Sequence, residues 1–303
     1  MLINFPYIKR DTPVHRLDAR TKLILLFAYS FSVIQTSNFW FVLVGFILAS
    51  FYYSQAHLKW RETRRPWTFI LLLVSILIIG NYFLSAGGIV QGVDLSHPHI
   101  LYKLPYIGLL SHPPYIGPAP LIISVESITF LITQAMRNIS IAMFVIPLPY
   151  TTPPSDFGVA FRELGLPDKI AYAVDLAFRF LPSAVRDFST TLDAQRARGY
   201  ELDKLEGGLV GKTVRLAPML VPVVIGSIIG AEDIISAMEL RCFGVGKRTW
   251  YIELHPRQFD RIMMTLAIAV FIAITLLNIL GYFYTSGPLH ILHIQGIPKF
   301  LAP

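Results

Sequence analysis

The chain has little charge and only one cysteine. Asp, Glu, Lys and Arg make up 15% of its 303 residues, whereas 54% are hydrophobic, and both values are unlike those of soluble globular proteins. The mean hydropathy of +0.56 points the same way, so we expect an integral membrane protein. Because Cys242 is the single cysteine, an internal disulfide framework and a two-cysteine metal knuckle are excluded. The polar, basic N-terminus predicts no cleavable signal peptide.

Motifs of catalysis and nucleotide binding are missing as well. The segment 207–213 reads GGLVGKT, but a phosphate-binding loop needs a longer spacing between its glycines and a strand before it. Glu206 stands where the first glycine of that motif would be. Metalloprotease, hydrolase-nucleophile and paired-carboxylate patterns are also absent from the sequence. We therefore predict that the chain is not an enzyme and binds no cofactor itself.

Metal and nucleic-acid sites are not expected either. Five of the eight histidines fall in predicted outer segments, at positions 97, 99, 112, 290 and 293, without the spacing of metal ligands on a helix. The net charge of +7 would suggest nucleic acid in a soluble protein, but in a membrane protein it is a topology signal. Acidic and basic residues nearly balance across 151–260, unlike a nucleic-acid-binding arm.

The apolar stretches predict five membrane-spanning helices. They occur at about 23–54, 67–86, 121–147 and 262–284, and one crossing needs roughly 20 apolar residues. The first stretch is too long for a single crossing, and the turn-forming residues from Gln35 to Asn38 interrupt it. We therefore expect an all-α membrane protein in which this stretch holds two helices.

The basic residues predict the orientation of these helices. Of the 26 Lys and Arg residues, all but Lys103, Arg137 and Lys299 fall on the side that then becomes cytoplasmic. The N-terminus is predicted inside the plasma membrane and the C-terminus outside. Three domains are expected. Residues 1–150 should hold four membrane helices and a proline-rich outer loop (87–120) without long regular structure. Residues 151–260 should form a cytoplasmic helical domain, and residues 261–303 the last membrane helix and an outer tail.

The cytoplasmic segment has the patterns of long helices. Apolar residues recur between 170 and 181 with the period of an amphipathic helix, and Gly165 and Pro167 mark the end of one helix and the start of the next. A further helix is expected from about Ser183 to Arg198. The stretch 216–231 is apolar but short and contains Pro and Gly, so we predict a helix at the membrane interface rather than a sixth crossing.

A short phrase occurs twice in this segment. AQRARGYE begins at Ala194 and AMELRCFG begins at Ala237, so that each copy places an arginine, Arg198 or Arg241, between a helix end and an aromatic residue. An arginine at a helix C-terminus can simply be solvated near the helix dipole. The repetition instead favours two equivalent contacts, in which each guanidinium binds an acidic groove of a partner through paired hydrogen bonds.

Arg137 lies within a predicted membrane helix. A charged side chain is unfavourable in hydrocarbon, so it should face protein or water and have a polar partner. Gln134 and Glu126 lie on the same helical face and are the candidates. A place in a substrate path and a structural contact with another helix or subunit both remain open.

These residues together resemble the transmembrane T component of energy-coupling factor (ECF) transporters, ATP-binding cassette importers of vitamins and metal ions. The resemblance extends over nearly the whole chain. It includes the opening HRLDARTKL from His15, the segment FRFLP from Phe178, and the two arginine phrases.

The resemblance implies a scaffold with two long cytoplasmic coupling helices. Their ends would dock on a pair of ABC-type ATPases, which bind the ATP, while the membrane part holds a small substrate-binding S component. The residues that the resemblance assigns to ATPase coupling are Ala197, Arg198 and Gly199 in the first motif and Leu240, Arg241 and Cys242 in the second. In the second motif, Leu and Cys replace the small residues that usually flank the arginine.

Two other functions stay open at this level. A self-contained secondary transporter would need broken helices and ionisable groups near the membrane midplane, and Arg137 is the one such group in the predicted spans. A conventional ABC permease would carry a single coupling loop with a motif that this sequence lacks. The substrate itself, a vitamin or a transition-metal ion, is not encoded in any recognisable pattern.

Overall fold

The computed structural model of the chain describes residues 7–36, 38–84, 100–108, 119–199, 209–246, 254 and 256–283. Most of this part is helical. The elements in chain order are α1 (Pro13–Arg16), α2 (Ala19–Ile34), α3 (Phe39–Gln55), α4 (Trp60–Leu84), β1 (Ile100–Gly108), β2 (Ala119–Ser124), α5 (Val125–Val145), α6 (Pro147–Thr151), α7 (Pro154–Glu163), α8 (Asp168–Ala197), α9 (Leu209–Leu240) and α10 (Gln258–Phe283).

The chain divides into two compact units. The first, the membrane unit, runs from Tyr7 to Pro153 and resumes at residue 255, so it contains α1 to α6, both strands and α10. The second comprises residues 154–254 with α7, α8 and α9, and we call it the coupling unit after the coupling helices that the sequence resemblance implies. The coupling unit overlaps the predicted cytoplasmic domain 151–260, and the two predicted membrane segments on either side of it join in one unit.

The predicted all-α membrane architecture is confirmed. The five segments predicted to cross the membrane form α2, α3, α4, α5 and α10, and the first apolar stretch is split as predicted. By length and composition, α4, α5 and α10 hold candidate spans and α3 is a shorter apolar helix, so the number of five crossings stays a prediction. Asn38 causes this split, because its side chain accepts a hydrogen bond from the backbone N–H of Trp40 at 2.9 Å and thereby begins α3. Asp18 begins α2 in the same way through the N–H of Arg20.

Aromatic stacking forms the centre of the membrane unit. The ring of Phe144 in α5 lies between Tyr29 of α2 and Tyr52 of α3, with centroid separations of 4.3 and 4.5 Å. Buried Leu25 and Ala49 pack in the same cluster, and residues of α10 lie against it. A second cluster joins α4 to α5 through Trp67, Ala142 and Ile146. Offset ring stacking adds to apolar burial at such contacts.

The packing also gives the directions of α2, α5 and α10 relative to one another. Leu25 lies with Met263 and Ala267, and Phe31 with Phe271, so α2 and α10 run parallel. By contrast, Tyr29 meets Phe144 near the end of α5, and the later part of α2 reaches Arg137, so α2 and α5 are antiparallel. When successive crossings alternate in direction, the first and the fifth run parallel and the fourth runs opposite to both. The directions of α2, α5 and α10 agree with this order.

Two contacts inside the membrane unit place the residues just before 154 near the start of α2, and the first turn of α10 near α1. The ammonium of Lys22 at the start of α2 donates to the carbonyl of Thr151 at 2.8 Å, and the first turn of α10 lies beside α1. The connecting segment must therefore cross the bilayer an even number of times or not at all. By length and composition α9 is a candidate span, along with stretches in α4, α5 to α6 and α10. The interfacial position predicted for 216–231 therefore stays a prediction.

Three local expectations were wrong. Residues 100–108 of the outer loop pair with residues 119–124, at its end and the start of the next predicted span, in an antiparallel ribbon, although the prolines were expected to make long regular structure unlikely in the loop. A two-stranded ribbon leaves one edge of each strand unpaired, and proline is tolerated at such an edge. Consequently α5 begins at Val125 rather than near residue 121. Finally, α8 continues through Pro182 as one helix of 30 residues instead of restarting at Ser183.

Candidate functional site

The coupling unit is built on close packing between α7 and α8. Gly158 of α7 lies so near α8 that an added Cβ would be 2.6 Å from Cβ of Asp175 and 3.1 Å from the carbonyl oxygen of Ala171. Ala171 and Asp175 are buried, and the Asp175 carboxylate is paired with Arg179 one turn later at 2.9 Å. The ring of Phe157 packs on Phe178. These contacts hold the first half of α8.

A glycine ends α7 where the sequence predicted a boundary. Gly165 has φ +101°, and its N–H donates to the carbonyl of Arg162 at 3.0 Å, while the N–H of Leu166 donates to Phe161 at 3.1 Å. This pair of hydrogen bonds is the Schellman motif, which satisfies the last carbonyls of a helix with a residue in the left-handed conformation. Helix α8 then starts at Asp168.

The first arginine motif lies at the C-terminal end of α8. Ala197 is the last helical residue, Arg198 is the C-cap, and Gly199 follows with φ +82°. The N–H of Gly199 donates to the carbonyl of Arg196 at 2.9 Å, as in a glycine-terminated helix end. All three motif residues are exposed, so the guanidinium extends from the helix end into solvent.

The second arginine motif has the same helix-end geometry on α9. Leu240 is the last helical residue and is 87% exposed, Arg241 occupies the C-cap, and Cys242 follows with φ +54°. The N–H of Cys242 donates to Glu239 at 2.8 Å and that of Phe243 to Met238 at 2.9 Å, a complete Schellman motif. The repeated phrase is therefore a repeated helix end with an arginine at its cap.

The two arginines are far apart. Phe243, two residues after Arg241, packs on Tyr172 near the start of α8 with ring centroids 4.6 Å apart. Arg198 lies 26 residues after Tyr172 at the other end of that helix, which at 1.5 Å per residue is roughly 40 Å. The coupling unit thus presents two equivalent exposed arginines at separate positions rather than one joint site.

Arg137 binds the end of another helix in the membrane unit. One guanidinium nitrogen donates to the carbonyl of Thr36, just after α2, at 2.6 Å, and another to the side chain of Gln134 at 3.3 Å. The predicted contact with Gln134 is therefore present. Glu126 lies eleven residues earlier on α5, roughly 16 Å along the helix axis, and its side chain lies outside the described part of the structure. A cation at a helix C-terminus is favourable for the helix dipole.

The opening motif HRLDARTKL has a structural role that its pattern did not reveal. Asp18 caps α2 and pairs with Arg20 at 3.3 Å. Lys22 is buried, and its ammonium bridges the carbonyl of Thr151 and the hydroxyl of Thr152 at the end of α6. Buried charges need such hydrogen bonds, so this motif fastens the last turn before the coupling unit to the first membrane helix.

Among the described residues, no group of His, Cys, Asp or Glu is arranged to hold a metal ion. The five predicted outer histidines, at positions 97, 99, 112, 290 and 293, lie outside the described residues. So do Gly207 and Gly208 of the GGLVGKT segment, whereas residues 209–213 form the start of α9. That segment thus enters a helix without any strand before it in the described part.

Known proteins resemble this chain along most of its length. Residues 10–252 match the family described as CbiQ, cobalt transport protein. Among curated proteins, the "Energy-coupling factor transporter transmembrane protein EcfT" of Clostridium kluyveri is 25% identical over 90% of this chain and 94% of its own length. The proteins of the same description from Thermosediminibacter oceani and Macrococcus caseolyticus are 27% and 28% identical, over 90% and 89% of this chain and 94% of their own lengths.

Proposed function

Because the chain belongs to the CbiQ family, which includes the transmembrane (T) components of ECF transporters, we propose that it couples two partner ATPases to a substrate-binding S component. It is a multi-pass membrane protein and a transporter component. In the proposed complex it performs no catalysis. ATP is bound and hydrolysed by the partners, and the coupling unit transmits the resulting motion to the S component in the membrane.

The observation that carries this proposal is the pair of matching arginine caps. Arg198 and Arg241 occupy the same position at the ends of the two longest helices of the coupling unit and lie roughly 40 Å apart. One compact acidic groove does not extend over that distance. Two copies of a similar groove, one on each ATPase subunit, match both the repetition and the separation.

The chemistry of each contact follows from the guanidinium group. An arginine carries a planar fork of N–H donors that can bind a carboxylate through two parallel hydrogen bonds. At the C-cap the side chain extends beyond the last turn, so it can enter a groove that the helix itself does not enter. We propose that Ala197, Gly199, Leu240 and Cys242 supply the helix-end shape and that the two arginines supply the charge recognition.

The basic residues support the orientation. We propose that the N-terminus and the coupling unit are cytoplasmic and that α10 ends on the outer side, in accordance with the positive-inside rule. The ATPases would then meet the arginine caps on the side where ATP is available. The ribbon of β1 and β2 would lie outside.

The imported substrate would be bound by the S component, so this chain is proposed to serve the uptake of a vitamin or a transition-metal ion without binding it. The two rival functions have no comparable support. A secondary transporter would use Arg137 for substrate or ion binding, but that guanidinium is engaged with the end of α2 and with Gln134. A conventional permease would not need two matching caps.

Charge reversal at both caps tests the proposal. The double variant Arg198→Glu/Arg241→Glu should lose both ATPases, and each single variant should lose one, because the two contacts are separate. Losing a desolvated ion pair costs about 2–5 kcal/mol, which corresponds to at least about 30-fold weaker association. The measurement is the ATPase stoichiometry of the purified complex by native mass spectrometry.

A control on the same helix separates docking from general charge. Arg186 is exposed on α8, twelve residues before Arg198, so Arg186→Glu introduces the same charge change away from the cap. This control should keep both ATPases bound. Retention of both ATPases by the double variant would show that the arginine caps are not the docking sites.

A further inference from the structure

A charged cleft of the membrane unit is not used in the proposed coupling function. It has a volume of about 420 Å³, lies between the α1 segment and the first turn of α10, and is partly open. Its lining residues are Asp11, Pro13, Arg16, Leu17, Arg257, Phe259 and Asp260. Its size falls within the range of small-molecule sites, roughly 300–1,000 Å³.

The cleft holds two guanidinium groups, of Arg16 and Arg257, and two carboxylates, of Asp11 and Asp260, so its charges balance. Arg16 and Asp11 neutralise each other through two hydrogen bonds of 2.6 and 2.7 Å. Asp260 is buried, and its carboxylate caps α10 by accepting from the backbone N–H of Arg257 at 2.9 Å. The exposed guanidinium of Arg257 makes no hydrogen bond with the residues that the structure describes. Its charge adds to the effect of Arg16, which is the main cause that lowers the pKa of the Asp11 carboxyl group.

An apolar strip leads from the cleft along α10. Phe259 lines the cleft and is 61% exposed, and Ile262 and Leu266 follow it on the same helical face with 62% and 59% exposure. The adjacent face of α10, which carries Met263 and Ala267, packs against α2. The strip itself therefore stays uncovered by α2. A ligand held at Arg257 would therefore have an apolar helix face directly beside it.

The position of the cleft in the bilayer identifies the class of occupant. The helices α2 and α10 run parallel and begin beside the cleft, so it lies where two membrane-spanning helices enter the bilayer. Pockets that present basic side chains between membrane helices at this depth bind lipid headgroups, and this cleft presents Arg16 and Arg257. A phosphodiester is the acceptor group that a guanidinium binds best in that layer.

We propose that this cleft is a binding site for one membrane phospholipid. The phosphodiester receives hydrogen bonds from Arg257 and from the outer nitrogen of Arg16, whose position is set by Asp11. One acyl chain lies along Phe259, Ile262 and Leu266. The proposal depends on the membrane position of α2 and α10 and is independent of the docking of ATPases.

The test is lipid retention by the full-length purified protein. The protein is equilibrated with phosphatidylglycerol in mild detergent, and bound lipid is counted by native mass spectrometry. The wild type should keep one lipid, and Arg257→Gln should bind it at least tenfold more weakly. Folding should be preserved in this variant, because Arg257 caps α10 through its backbone N–H, which glutamine retains.

Two further variants make the result specific. Arg64→Gln removes an exposed arginine from the first turns of α4, outside the cleft, and should keep the lipid. Ile262→Thr changes only the apolar strip and should weaken lipid retention without affecting Arg257. Equal retention by wild type and Arg257→Gln would overturn the proposal.

A competition arm distinguishes a lipid from free phosphate. Inorganic phosphate and glycerol 3-phosphate lack acyl chains, so neither should displace the bound phosphatidylglycerol at millimolar concentration. Displacement by inorganic phosphate, together with no effect of Ile262→Thr, would identify a phosphate site and contradict the lipid assignment.

Discussion

At the scale of single residues, the two arginine motifs are helix-end structures before they are binding motifs. In both, the arginine is the C-cap and the next residue has positive φ, Gly199 at +82° and Cys242 at +54°. This explains how Gly and Cys can occupy equivalent places in the repeated phrase. Glycine adopts the left-handed conformation freely, whereas a residue with a side chain is strained there by about 1–2 kcal/mol.

Replacing Cys242 by glycine should therefore stabilise the end of α9. The strain energy that is relieved exceeds the entropic cost of the extra flexibility of glycine in the unfolded chain, which is about 0.4–1 kcal/mol. The free energy of unfolding should therefore rise by about 0.5–1 kcal/mol. The measurement is the unfolding transition of the purified protein in detergent. Cys242→Ala is the control, since it removes the thiol but keeps the strain; equal stabilisation by alanine would refute the explanation.

His15 gives a prediction for the dependence of stability on pH. Its ring contacts the carbonyl of Ile8 at 3.0 Å and the hydroxyl of Thr12 at 2.6 Å. Burial, assisted by the nearby charges of Lys22 and Arg10, lowers the pKa of His15 below its ordinary value of 6.5. The folded chain thus binds this proton more weakly than the unfolded chain, so stability is complete above pH 6.5 and falls as the pH decreases below it.

The corresponding measurement is the unfolding midpoint between pH 7.5 and 5. A modest decrease is expected in the wild type, since the ring is only partly buried, and a shallower one in His15→Gln, which cannot titrate. Identical pH dependence in the two proteins would contradict the role of His15.

At the scale of elements, the sequence predicted what depends on local pattern. Apolar length located the membrane helices, and Gly165, Gln35 and Asn38 marked real boundaries, because capping and turn formation involve neighbouring residues. Features that depend on distant partners were missed. The pairing of β1 with β2 needs contacts between segments that no local pattern encodes, and the described part of the structure offers no distant contact that explains why α8 continues through Pro182. The role of Lys22 at Thr151 joins residues 129 positions apart.

The contact between α7 and α8 provides a test at this scale. Gly158→Ala would place a methyl group 2.6 Å from Cβ of Asp175, so the helices must separate, at an expected cost of about 1–3 kcal/mol. Gly226→Ala in α9 is the matched control, because a Cβ there meets nothing within 4 Å, and better helix propensity should make it neutral or stabilising. Limited proteolysis of the coupling unit measures both. A Gly158→Ala protein as resistant as the control would refute the close packing.

At the scale of the whole molecule, helix directions and basic residues give one topology. Because α2 and α10 run parallel, the chain must cross the membrane an odd number of times from α2 to α10 when both helices are counted. The lysine and arginine distribution then favours the proposed orientation, in which the start of α2 and the coupling unit are cytoplasmic. Neither argument alone suffices, since packing does not tell inside from outside.

The single cysteine makes this topology directly measurable. Cys242 is exposed in the isolated chain, so a membrane-impermeant maleimide should label it in inverted vesicles from cells that produce this chain without the partner ATPases, and not in intact cells. The opposite pattern is expected for Gln35→Cys in a Cys242→Ser background, because residue 35 lies in the turn between α2 and α3. Labelling of Cys242 from outside intact cells would reverse the proposed orientation.

The central claim is that this chain works as the coupling subunit of a larger importer. The most direct measurement is gentle solubilisation of the tagged protein from its native membrane, followed by mass spectrometry of the proteins that co-purify. The account predicts one or two kinds of ABC-type ATPase together with a small, hydrophobic substrate-binding protein, whose identity would also indicate the substrate. A chain that purifies alone in several mild detergents would contradict the coupling role.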